Sequence, residues 1–155
     1  MNEQVIATAG DLPDVNVWLA LAVREHVHHE AAVAYWRQAA EVASHWRYFC
    51  RVSSLSLVRL LAHPRVMANK ELSLSAAWSV YRRFAELPGV RMLDEPAPAV
   101  DRQLGIFASR TLPSRHFTDA YFAALAACAR LRVVTFDRDF ERFAGVIVLR
   151  LSADA

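Results

Sequence analysis

The sequence contains little cysteine, glycine and lysine, and these shortages exclude several classes of protein. Its 155 residues include two cysteines, four glycines, six prolines and a single lysine, Lys70. So few glycines and prolines, together with 55% hydrophobic residues, exclude a collagen-like or disordered chain. Cys50 and Cys128 lie far apart in apolar segments, so they indicate no disulfide framework and are expected to be reduced core residues.

Long hydrophobic runs are also missing. The longest, residues 120–129, covers ten residues, which is about half of what a membrane-spanning helix requires. Residues 1–14 lack the basic start and the apolar core of a secretory signal peptide. We therefore expect a cytoplasmic protein that does not cross a membrane.

The charge of the chain does not identify a partner. The formal net charge is only +2, and nearly all of the basic residues are arginines. Arginine binds phosphate bidentately, so an RNA partner is permitted. A bias toward arginine and alanine in a GC-rich genome explains the same composition more simply, so composition alone leaves the function open.

Short β-prone runs alternate with longer helical stretches, and no repeat or linker divides the chain. The predicted strands cover residues 12–15, 47–52, 90–93, 131–136 and 146–151. Five predicted helices cover residues 17–23, 28–43, 97–110, 113–130 and 138–143. Two more lie between the second and third strands. The first is capped by Ser53 or Ser54 and runs to residue 61, and the second is capped by Ser73 or Ser75 and runs to about residue 87. This alternation predicts an α/β fold, a three-layer α/β/α sandwich with a central, mainly parallel sheet.

Three acidic residues lie at the ends of predicted strands or at the start of a predicted helix. Asp14 ends the first predicted strand, Asp137 directly follows strand 131–136, and Asp119 lies in the first turns of the long helix. Each could simply cap a helix or start a turn. Sites in parallel sheets form beyond the carboxyl ends of the strands, however, so the three carboxylates are expected to meet there. Neighbouring carboxylates repel one another unless a cation neutralises them, and Mg²⁺ is a natural occupant.

Three motifs carry a resemblance to a known family. Residues 12–17 (LPDVNV) resemble the opening DxN motif of PIN domains, and residues 117–126 (FTDAYFAALA) resemble their DAxxAALA helix. Residues 133–140 (VVTFDRDF) resemble their closing VTFDRDF motif. The motifs occur in the family order and span nearly the whole chain. Residues 51–61 (RVSSLSLVRLL), followed by HPRV at 63–66, resemble a VapC-type subgroup.

The resemblance implies a single PIN-like domain over residues 1–155, with residues 1–10 as an N-terminal tail. It implies an RNA endonuclease that uses Mg²⁺ or Mn²⁺, forms a homodimer, and is held inactive by a cognate VapB-type antitoxin. Asp14, Asp119 and Asp137 then become catalytic metal ligands. Asn16 and Thr135 become the polar supports that orient those ligands.

One position departs from the family pattern. Many PIN domains carry a glutamate on the helix after the second strand, where this chain has Ser56. Serine is neutral, so the site would hold less negative charge, and Asp139 is a candidate to compensate directly or through water. The departure motivates an alternative function, a catalytically weak PIN-like module that binds RNA or a partner. Arg59, in an otherwise apolar helix, could reach phosphate or antitoxin, although a buried salt bridge or an extended stem is the commoner explanation.

Overall fold

The computed structural model describes residues 8–152 and contains a five-stranded sheet in which every pairing is parallel. The strand order is β3-β2-β1-β4-β5, so the first strand lies at the centre. The strands are β1 (Gly10–Pro13), β2 (Trp46–Phe49), β3 (Val90–Met92), β4 (Arg132–Thr135) and β5 (Ile147–Arg150). The predicted sheet is confirmed, and its middle strands β1 and β4 are those that precede Asp14 and Asp137.

Helices cover both faces of this sheet. They are α1 (Val15–Ala22), α2 (His29–Glu41), α3 (Arg51–Leu61), α4 (Leu74–Ala85), α5 (Ala97–Ala108) and α6 (Phe117–Ala129). Two consecutive residues of β4 show the layering, because their side chains point to opposite faces. Val133 packs in a core cluster with α5 and α6, whereas Val134 packs with Val17 of α1 and Tyr35 of α2. The three-layer α/β/α prediction is confirmed.

Helix α6 is the buried helix that the apolar run 120–129 predicts. Ala120 and residues 122–126 are buried, and the helix ends at Arg130, whose backbone is left-handed at φ 55°. Asp119 lies in the first turn, immediately before the first buried residue. The packing of α6 against α5 and the sheet therefore determines the position of Asp119.

The start of α3 differs from the prediction. The helix begins at Arg51, and Cys50 is its N-cap, so the expectation that Ser53 or Ser54 caps it is wrong. The Cys50 Sγ atom accepts a hydrogen bond from the Ser53 backbone N–H at 3.4 Å, and the Ser53 hydroxyl accepts one from the Cys50 N–H at 3.0 Å. Ser53 supplies the other half of the capping box, so β2 is shorter than predicted and the N-cap lies three or four residues earlier.

Two further helical segments are shorter than predicted. The stretch 113–130 divides into a 3₁₀ turn, Ser114–His116, and α6, while the last predicted helix is a 3₁₀ turn, Arg138–Arg142. Most of the predicted tail 1–10 lies outside the described residues, and Gly10 already belongs to β1. Within residues 8–152, no helix is long and apolar enough to cross a membrane.

Candidate functional site

Asp14 is a buried carboxylate at the carboxyl end of the central strand. Only 9% of the residue is exposed, and it is the N-cap of α1. Its Oδ1 atom accepts a hydrogen bond from the backbone N–H of Val15, the first residue of the helix, at 2.7 Å. Its Oδ2 atom accepts a hydrogen bond from the Thr135 hydroxyl at 3.0 Å. Helix capping therefore occupies one carboxylate oxygen and leaves the other directed toward β4.

Thr135, the last residue of β4, forms hydrogen bonds with residues that follow β1 and with a residue that follows β4. Its hydroxyl oxygen accepts hydrogen bonds from the Asn16 Nδ2 at 3.1 Å and from the Asp137 backbone N–H at 3.0 Å. With its proton donated to Asp14, the Thr135 hydroxyl has no unused hydrogen-bonding capacity. The structure thus places Asn16 and Thr135 beside Asp14 and Asp137.

Asp137 begins the 3₁₀ turn that follows β4. Its Oδ1 atom accepts a hydrogen bond from the Asp139 N–H at 2.8 Å, so this carboxylate also caps a turn. β1 and β4 are adjacent, with Pro13 paired to Val134. The loops that carry Asp14 and Asp137 consequently leave the sheet side by side.

Asp119 contacts a histidine that the sequence analysis did not single out. Its Oδ2 atom lies 3.1 Å from the Nδ1 atom of His116, which is 5% exposed. The same nitrogen lies 3.8 Å from Oδ2 of Asp139, which in turn contacts Arg142 at 3.2 Å. The spacing of three residues between His116 and Asp119 is the only sequence signal for this contact, because such spacing places side chains on one helical face.

The pKa shifts of Asp14 and Asp119 show the effect of burial and of neighbouring carboxylates. Burial raises the pKa of Asp14 from its ordinary value to about 6, and the charges of Asp119 and Asp137 add to the increase, while the hydrogen bond from Thr135 opposes it. Burial is also the main cause of the raised pKa of Asp119, with Asp137 and Asp139 adding to it and His116 opposing it. Negative charge is therefore concentrated at this edge of the sheet.

The donor set fits a hard divalent cation in its chemistry. Three carboxylates supply oxygen ligands of the kind that Mg²⁺ and Mn²⁺ prefer. Across the described ranges, however, no group of three acidic, histidine or cysteine side chains is already arranged to hold a metal ion. A bound cation therefore requires side-chain adjustment. A carboxylate that already accepts two hydrogen bonds still has lone pairs with which it can bind a cation.

The remaining predicted residues differ in their placement. Ser56 is half-buried on α3, and no hydrogen bond within residues 8–152 joins it to the acids. Asp139 lies beside the acids but is held by Arg142, through hydrogen bonds to its backbone oxygen and to its carboxylate. Arg59 is exposed, so the buried salt bridge considered for it is wrong.

Comparisons with known proteins agree with this fold. The PIN domain family matches residues 12–146. The chain is 35% identical to Ribonuclease VapC41 of Mycobacterium tuberculosis over 146 residues, which cover 92% of this chain and 98% of that protein.

Solved structures share the fold at low sequence identity. VapBC2 of Rickettsia felis, bound to a DNA fragment from its promoter, gives a TM-score of 0.67 at 11% identity and covers 92% of this chain and 98% of that one. VapC20 of Mycobacterium tuberculosis, a toxin that cleaves the sarcin–ricin loop, gives a TM-score of 0.64 at 17% identity and covers 88% of this chain and 98% of that one. At these identities the likeness establishes the fold alone.

Proposed function

The chain belongs to the PIN-domain family, and on this premise we propose that it is a metal-dependent endoribonuclease, the VapC-type toxin of a toxin–antitoxin pair. One observation carries the proposal: Asp14, Asp119 and Asp137, from distant parts of the sequence, meet at the carboxyl edge of the sheet, where burial raises the pKa of Asp14 and the charges of Asp119 and Asp137 add to the increase. The relative with 35% identity is named a ribonuclease, which supports RNA as the substrate.

Asp14, Asp119 and Asp137 are the residues that would hold Mg²⁺ or Mn²⁺. When bound, such an ion polarises phosphate oxygens and lowers the pKa of water, which favours hydrolysis of a phosphodiester bond. Thr135 and Asn16 contribute orientation, because Thr135 fixes Asp14 Oδ2 and Asn16 fixes the Thr135 hydroxyl. Preorganised ligands keep the geometry that the reaction needs.

Arginines next to these acids supply positive charge for the RNA backbone. Arg115 precedes His116 and Arg138 follows Asp137, and both arginines are exposed. Arginine pairs with phosphate oxygens and positions a nucleic acid without reading its sequence. An RNA substrate also places the proposed activity in the cytoplasm.

A VapB-type antitoxin and a second copy of the chain are the proposed protein partners. The Rickettsia felis structure is of a VapBC complex, which supports an antitoxin partner for a related fold. The chain presents an apolar groove of about 570 Å³ lined by residues that include Val23, Leu61, Met67 and Val80. Exposed apolar surface of this kind commonly marks protein–protein contacts.

Cleavage-site mapping on total RNA tests the proposed activity. The wild-type chain is incubated with Mg²⁺ or Mn²⁺, and the new RNA ends are compared with those made by Asp14→Asn, Asp119→Asn and the exposed control Asp101→Asn. We expect defined cuts from wild type and Asp101→Asn, none from the other two, and none with EDTA. Equal cutting by Asp14→Asn and Asp119→Asn would refute the proposal and favour a contaminating nuclease.

A further inference from the structure

Hydrogen bonds orient each of the three acids, and Asp14 accepts two, one of them from the Val15 backbone N–H. Asp14 accepts from the Thr135 hydroxyl, and Asp137 accepts from the Asp139 backbone N–H. Within the described part of the chain, the contact with His116 Nδ1 is the only hydrogen bond to the Asp119 carboxylate. The Asp119 side chain is 25% exposed, so packing alone does not hold it as firmly as it holds Asp14.

The direction of this hydrogen bond follows from its surroundings. An ionised carboxylate can only accept, so the proton must lie on the Nδ1 atom of His116. The Nε2 atom is buried and has no hydrogen-bond partner among the described residues. A proton on Nε2 alone would leave a buried donor unpaired, which costs free energy. Both nitrogens therefore favour the same assignment.

We propose that His116 is a positioning residue for Asp119. It carries a proton on Nδ1 and holds the Asp119 carboxylate toward the other acids. A second carboxylate faces the same ring nitrogen, since Asp139 Oδ2 lies 3.8 Å from Nδ1 and Asp139 is itself held by Arg142. The proposal rests on the proposed function, because the orientation of Asp119 matters only if Asp119 binds the catalytic cation.

Nuclear magnetic resonance tests the geometry without any activity. Long-range ¹⁵N–¹H correlation spectra of the ¹⁵N-labelled, metal-free chain at pH 8 show which ring nitrogen of His116 is protonated. We expect a proton on Nδ1 in the wild type, and in Asp119→Ala, where its acceptor is gone, we expect that proton to exchange with water faster than in the wild type. A proton on Nε2 alone in the wild type would overturn the proposal.

Paired substitutions test the functional consequence. In His116→Asn the amide nitrogen stands at the position of Nδ1, whereas in His116→Gln it stands one bond farther out, near the position of Nε2. We expect the half-saturating Mn²⁺ concentration for RNA cleavage to rise about 10–100-fold in His116→Gln and to stay within about threefold of wild type in His116→Asn. Equal values in both variants, whether raised or unchanged, would overturn the proposal.

His45 provides a matched control at the opposite edge of the sheet. It also approaches a buried aspartate, with Nε2 2.9 Å from Oδ2 of Asp11. We expect His45→Gln to leave the Mn²⁺ dependence unchanged, and a rise equal to that of His116→Gln would overturn the proposal. If the wild type cleaves no RNA, the proposed function fails. The protonation of His116 in the metal-free chain still shows whether His116 Nδ1 donates a hydrogen bond to Asp119.

Discussion

The Thr135 hydroxyl donates a hydrogen bond to Asp14 Oδ2 across 121 residues of sequence, at an O···O distance of 3.0 Å. The contact exists because β1 and β4 are neighbours in the sheet and end at the same edge. Because the hydroxyl also accepts from Asn16 and Asp137, one atom organises both loops of the candidate site. These hydrogen bonds describe how Thr135 and Asn16 could orient the acids.

Replacing Thr135 with valine keeps the shape of the side chain and removes its hydroxyl. The buried donors of Asn16 and Asp137 then lose their acceptor, and Asp14 loses its donor. We expect the free energy of unfolding to fall by about 2–4 kcal/mol, measured by urea denaturation of the metal-free protein. Thr135→Ser retains the hydroxyl and is expected to lose about 1 kcal/mol from the missing methyl group. Equal losses in the two variants would show that the hydroxyl network is not what stabilises the site.

The raised pKa of Asp14 predicts a pH dependence in the EDTA-treated protein. Its pKa is about 6 in the folded state against an ordinary 3.8, so the folded state binds this proton more tightly than the unfolded chain does. Stability should therefore fall as the pH rises from about 4 to about 7, by up to about 3 kcal/mol. Asp14→Asn removes this titration, so its unfolding free energy should vary less over the same range. Parallel pH profiles for the two proteins would contradict the explanation.

Asp11 is the most completely paired acid among residues 8–152, and it lies outside the candidate site. It is fully buried, forms two hydrogen bonds with Arg132 at 2.8 and 3.1 Å, and accepts one from the Tyr35 hydroxyl at 2.8 Å. Asp11→Asn leaves Arg132 without its buried counter-charge, so we expect a loss of about 3–5 kcal/mol in unfolding free energy. Mn²⁺ binding by the folded fraction should be unchanged. A weakened Mn²⁺ affinity without loss of stability would place Asp11 in the site instead.

Position 56 distinguishes a complete nuclease site from a weak one. Ser56 makes no hydrogen bond to the acids in the described ranges, so Ser56→Ala should leave Mn²⁺ affinity and RNA cleavage within about twofold of wild type. Ser56→Glu restores the carboxylate that many PIN domains carry and should tighten Mn²⁺ binding, because added negative charge attracts the cation. Calorimetric titration of both variants measures the effect. A large loss in Ser56→Ala would instead make the serine hydroxyl part of the site.

The alternation of strands and helices made the fold predictable from the sequence. Parallel strands joined by helices leave few topologies. The boundaries depended on tertiary detail. Serine was expected to cap α3 on residue type alone, whereas Cys50 holds that position because Ser53 completes the capping box from inside the helix.

The candidate site was predictable where strand ends determine it. Asp14 and Asp137 follow the adjacent strands β1 and β4, so their proximity followed from the parallel sheet. His116 was not predictable in the same way, because the 3₁₀ turn before α6 brings it against Asp119 and residue spacing alone does not specify that turn. Asp11 was missed because its partners come from three separate elements: Tyr35 of α2, Arg132 of β4 and the segment before β2.

Mn²⁺ binding by the purified chain tests most directly whether the three acids share one cation. Isothermal titration is carried out on the wild type, on Asp14→Asn, Asp119→Asn and Asp137→Asn, and on the exposed control Asp101→Asn. We predict that each of the three site variants weakens Mn²⁺ binding at least about tenfold, and that Asp101→Asn binds like the wild type. Wild-type affinity in all three site variants would contradict the account, because the acids would then serve only to cap their helices and turns.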